Sequence, residues 1–61
     1  MQVGDLVKLK INPNKIGVVM KLWTETLGQG YDTARYRMCK IYWNDHSFSH
    51  TQQKVVEVID G

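Results

Sequence analysis

The feature that most constrains this chain is the run at residues 15–23, KIGVVMKLW, the longest apolar run in the sequence. β-Branched and aromatic side chains fit a pleated, half-buried surface, so Ile16, Val18, Val19, Leu22 and Trp23 predict a strand. The neighbouring Pro13 and Gly17 argue against an interior helix. Strict alternation places Ile16, Val18, Met20 and Leu22 on one face and Gly17, Val19, Lys21 and Trp23 on the other. Both faces are largely apolar, as in a strand covered on both sides or bent around a barrel corner. Gly17 is the expected bend or bulge. A bulge shifts the parity, so alternation alone leaves the inward face of this strand open.

With 61 residues the chain is a single domain spanning residues 1–61. A domain this short buries only about 60% of the surface its unfolded chain exposes. Its core is thin, and self-association is an expected source of further support. The single cysteine, Cys39, cannot form an intrachain disulfide, which favours a reducing, intracellular setting. No stretch approaches the roughly 18–20 apolar residues of a membrane span. Gly4, Asp5, Lys8 and Lys10 interrupt any basic-then-apolar leader. The expectation is a soluble, cytoplasmic protein. The net charge of +2, from 8 basic and 6 acidic side chains, permits contact with nucleic acid or an acidic protein and demands neither.

Taken in order, Gly4-Asp5 is a turn and residues 5–11 (DLVKLKI) alternate as a first strand. Val7, Leu9 and Ile11 face one side, and Lys8 and Lys10 form a basic outer face. Asn12-Pro13-Asn14 is a compact turn before the central strand, which is expected to run to about Thr24. Residues 24–34 (TETLGQGYDTA) form the longest irregular stretch, a loop in which Tyr31 is either a ligand contact or, slightly favoured, an anchor packing the loop down. Residues 35–43 (RYRMCKIYW) form the next strand. Cys39, Ile41 and Trp43 make its core face; Tyr36, Met38, Lys40 and Tyr42 make a partly exposed face. Asn44-Asp45 marks a hairpin turn. Residues 46–50 (HSFSH) form a short strand with Phe48 as its core residue. Residues 51–53 have room for one 3₁₀ turn, residues 54–59 (KVVEVI) form the last strand, and Asp60-Gly61 ends the chain. Five short strands with turns between them predict a small all-β sandwich or barrel, its middle plugged in part by the tryptophans.

The order of features is familiar. Gly4-Asp5 precedes a basic first strand; Gly17 and Val19 sit in the second; Trp43-Asn44-Asp45 forms an aromatic-turn unit; Val-Glu-Val-Ile closes the chain at residues 56–59. This resembles the SH3-like small barrels, in particular their KOW and Tudor-like versions, and is similar to short single-barrel proteins of unknown function encoded by tailed bacteriophages. The resemblance implies a five-stranded SH3-like barrel, and a virion or host cytoplasm as its setting if phage-encoded. His46 stands where such proteins often carry glycine, so the hairpin is expected to exceed two residues. Function does not follow from the fold, because such barrels host unrelated tasks.

Two binding classes compete. Tyr36, Met38, Lys40 and Tyr42, with Trp23 and the loop around Tyr31, form a candidate surface for a protein partner or a second copy. Alternatively Lys8, Lys10, Lys21, Arg35 and Arg37 supply phosphate contacts for single-stranded nucleic acid, with Trp23, Tyr36 and Tyr42 stacking on bases. Metal binding is not expected: on a strand His46 and His50 stand about 13 Å apart. Cys39 is expected to be buried and inert. Gly28-Gln29-Gly30 is a lone Gly-x-Gly without a following glycine or helix, and no cofactor is implied. A loose similarity to the type II dihydrofolate reductases, SH3-like enzymes with a shared pore, lacks their Val-Gln-Ile-Tyr run; Lys40-Ile41-Tyr42 falls one strand too early. The sequence therefore predicts a non-enzymatic binding or assembly module.

Overall fold

The computed structural model describes residues 1–28, 30, 31 and 33–59; Gln29, Asp32, Asp60 and Gly61 lie outside the described residues. Five strands, β1 (Leu6–Leu9), β2 (Ile16–Leu27), β3 (Ala34–Trp43), β4 (Phe48–Gln52) and β5 (Val56–Val58), form one antiparallel sheet in the order β4-β3-β2-β1-β5. A 3₁₀ turn, Gln53–Val55, connects β4 to β5. The all-β class and the single turn before the last strand match expectation. Closure does not: β4 and β5 are the two edges and do not pair, so the sheet is open. Among the described residues no helix is long and apolar enough to cross a membrane.

One face of the sheet carries the core. Val7, Val19, Cys39, Ile41, Trp43 and Val56 are buried there, with Leu9, Leu22 and Val55 packed against them. β3 alternates as its sequence predicts: Cys39, Ile41 and Trp43 point inward, while Tyr36, Met38, Lys40 and Tyr42 are half-buried on the outer face.

Gly17 is a seat rather than a bend. It lies in register between Val7 on β1 and Trp43 on β3. A Cβ there would stand 2.5 Å from Ile41 Cγ2, 2.7 Å from the Tyr42 carbonyl oxygen and 2.9 Å from Trp43 Cε3. The irregularity lies three residues later. Val19 pairs with Ile41 and Lys21 with Lys40, leaving the exposed Met20 as the extra residue of a β-bulge. The bulge resets the parity. Gly17 and Val19 face inward before it and Leu22, opposite Cys39, faces inward after it; Ile16, Val18, Lys21 and Trp23 face outward. This is why the run is apolar on both sides.

The middle of the sheet is broader than its far end. β1 pairs with β2 only at Ile16, Gly17 and Val18, and β4 pairs with β3 no further than Met38. Beyond them residues 24–27 pair with residues 34–37 alone. This two-stranded arm accords with the 41 × 20 × 20 Å extents of the molecule. Residues 24–27, expected as loop, are therefore strand.

Other expectations shift with the register. Ile11 lies beyond β1 and is 92% exposed instead of facing the core. Phe48, expected in the core, pairs with the outward Tyr42 and is 56% exposed. Trp43 fills the interior, whereas Trp23 is half-buried on the outer face. The 3₁₀ turn occupies residues 53–55, which shortens the last strand to three residues. The β3–β4 loop does exceed two residues: Trp43 N–H donates to Ser47 O at 2.8 Å, and His46 adopts φ +66° where glycine is commonest.

Gly17→Ala should destabilise the fold by about 1–3 kcal/mol, because its new methyl meets backbone and indole rather than a flexible chain end. Urea unfolding followed by tryptophan fluorescence measures it, and an unchanged midpoint would contradict the packing described.

Candidate functional site

Among the described residues nothing covers the outer face of the sheet, and its side chains fall in rows set by the register. Leu6, Val18, Tyr42 and Phe48 are successive partners across β1, β2, β3 and β4. The Tyr42 and Phe48 rings lie 4.8 Å apart at 42°, and Leu6 and Phe48 are each about half exposed. A shallow apolar cleft opens beside this row, lined by Leu6, Ile16, Val18 and Tyr42 among others.

The next row is Lys21, Lys40 and His50, followed by Trp23, Met38 and Gln52, then Glu25 and Tyr36. The cations lie over neighbouring rings, Lys21 Nζ 5.5 Å from the Trp23 centroid and Lys40 Nζ 4.9 Å from that of Phe48. His50 meets Trp23 edge to face at 5.4 Å, and Trp23 Nε1–H donates to Glu25 Oε1 at 3.1 Å. Trp23, Tyr36, Met38, Lys40 and Tyr42 thus share one face. Tyr31 does not join them. It is fully exposed in the connection at the arm tip, where it neither anchors the loop nor meets the aromatic rows. Leu6, Ile16 and Phe48 belong to the outer face although sequence reasoning passed over them there; only the cross-strand register reveals it.

The basic residues divide. Lys8 and Lys21 accompany Lys40 outward. Arg35 and Arg37 share the parity of Cys39 and turn to the opposite side of the arm. There they line, with Gln53, Lys54, Val56 and Val58, an open groove of about 690 Å³ where the sheet fails to close. Lys10 follows β1, its N–H donating to Val55 O at 3.0 Å.

His46 and His50 have separate roles. The first ring hydrogen-bonds the Tyr42 hydroxyl through Nδ1 at 2.9 Å; the second packs on Trp23. Among the described residues no group of three or more His, Cys, Asp or Glu could hold a metal ion. Cys39 is fully buried, its Sγ–H donates to Thr51 O at 3.5 Å, and burial pushes its thiol pKa up. In the β3–β4 loop the Ser47 hydroxyl and N–H both donate to Asp45 Oδ1, and Lys15 Nζ stands 3.8 Å from Oδ2. These bonds hold the Asp45 carboxyl below its ordinary value. No family model, curated protein or solved structure matches the chain.

Two outcomes follow from these side chains. Native Cys39 should react with a soluble disulfide reagent roughly 100-fold or more slower than the unfolded thiol, since reaction needs an exposed thiolate; fast labelling under native conditions would contradict its burial. Because the Asp45 pKa is lowered on folding, its contribution is fully present above the unfolded carboxylate value of about 3.9 and is lost as pH falls through the lower folded value. Asp45→Asn should therefore flatten the acid limb of stability against pH, and an unchanged slope would contradict the Ser47 contacts.

Proposed function

We propose that this chain is a small non-enzymatic assembly module, SH3-like in strand connection, that works by protein–protein contact and associates with itself. The strand order, with β1 between β2 and β5 and a 3₁₀ turn leading into β5, supports the SH3-like reading, although the sheet is open. The observation that carries the functional reading is the arm. A two-stranded ribbon alone is at best marginally stable in water. Here one projects past every flanking strand, and among the described residues nothing pairs with the backbone along its sides. The apolar row on the uncovered outer face supports the same reading.

A second reading is single-stranded nucleic acid binding. Lys8, Lys21 and Lys40 share the outer face with Trp23, Tyr36 and Tyr42, which favours it. Arg35 and Arg37 turn away, and lysines already lie over Trp23 and Phe48, so self-association ranks first.

Sedimentation velocity from micromolar to millimolar concentration separates the two. The expected result is a sedimentation coefficient that rises with concentration and is unaffected by short oligonucleotides. A monomer throughout would overturn the assembly reading. Oligonucleotide binding that weakens steeply with salt would put the second reading in its place.

A further inference from the structure

We infer that a second copy of this chain docks antiparallel along the free edge of β2, in the register that stacks Trp23 on the two-fold axis and pairs Lys21 of each copy with Glu25 of the other. The inference rests on the self-association reading and assigns its surface.

Backbone direction defines the edge. Trp43 N–H donates to Ser47 O on the β4 side, while Asn44 N–H donates to Ile16 O on the β2 side. Alternation then turns Lys40, Met38 and Tyr36 towards β2. Their partners Lys21, Trp23 and Glu25 form the hydrogen-bonded pairs of the β2–β3 ladder. Leu22, Thr24 and Thr26 therefore aim N–H and C=O the other way. On that side the chain reaches only as far as Val19, which accepts from Gly4 N–H at 2.8 Å and donates to Asp5 O at 3.0 Å. Among the described residues nothing pairs with residues 20–27 along this edge.

Edge pairing between identical strands is isologous and closes as a dimer. Trp23 sits at the middle of the stretch 20–26, so the register centred on it uses the free edge most fully. In that register Leu22 of one copy and Thr24 of the other exchange N–H···O bonds. Lys21 and Glu25, both on the outer face and in no ion pair within the described chain, meet their opposites twice. Shifting the centre to Leu22 or Thr24 sets Lys21 against Trp23 or Leu27 and loses both charge pairs. The pattern Lys-x-Trp-x-Glu is thus self-complementary. Pairing would also give the arm the third and fourth strands it lacks.

The test is sedimentation equilibrium of the full chain and four variants, with circular dichroism confirming that each is folded. The wild type should dimerise. Lys21→Glu and Glu25→Lys each create two like-charge contacts and should weaken association about tenfold or more. The exchanged variant carrying both should restore it to within about threefold of wild type. Thr24→Pro removes a donor from the free edge but none from the β2–β3 ladder, and should abolish association while the chain stays folded. If the wild type dimerises but neither single charge variant nor Thr24→Pro weakens it, this edge is wrong and self-association stands. Failure of the exchanged variant to recover would overturn the register. A wild-type monomer at millimolar concentration would overturn both readings.

Discussion

The Trp43 indole lying against Gly17 is the contact on which the sheet depends. An aromatic side chain can cross β2 only where β2 offers no side chain of its own, and Gly17 is that place. Val7 on the far side of Gly17 and Val56 on β5 extend the same packed layer. Lys15 Nζ, 5.2 Å from the ring centroid, adds a cation to the same indole. The arrangement carries a cost, because Trp43 Nε1 is buried with no hydrogen-bond partner among the described residues. An unpaired buried N–H costs about 1–3 kcal/mol. Burying an indole of about 150–250 Å² stabilises by roughly 4–6 kcal/mol at 25 cal/mol per Å². Packing therefore wins, and the orphan N–H is tolerated.

The second determinant is the bulge at Met20. It lets one strand serve two surfaces. Before it, β2 is a central strand with Val19 in the core; after it, β2 is an edge strand carrying Lys21, Trp23 and Glu25 on its outer face. Leu22 is the last β2 side chain that packs on the core. Beyond it β2 relies on backbone pairing and on local contacts, Trp23 with His50 and the Trp23 indole N–H with Glu25. β5 is blunted by its three-residue length, a usual protection for an edge. The arm edge is longer and without proline; its bulge at Met20 and its charges, Lys21 and Glu25, are what guard it.

The sequence was legible where side-chain pattern alone decides. Alternation in residues 35–43 gave the buried and exposed sets of β3 correctly, and β-branched content marked β2 as a strand. The connection containing Asn44 and Asp45 was readable from turn chemistry and from His46 standing where glycine is commoner. Illegible were features fixed by register. Phe48 reads as core until its partner is known to be Tyr42, and the facing of Trp23 stays open until the bulge is placed three residues after Gly17. Thr24, Glu25 and Thr26 have no apolar period because they are exposed and reach no core, so a strand here has the composition of a loop. Closure was also inaccessible, since whether two edges meet depends on sheet curvature rather than on any one residue.

Nuclear magnetic resonance of Gly17 tests the central contact most directly. The Gly17 α-protons should be shifted upfield by the Trp43 ring current and show nuclear Overhauser contacts to the six-membered ring of the indole. Gly17 α-protons at ordinary glycine positions, with no contact to Trp43, would contradict it.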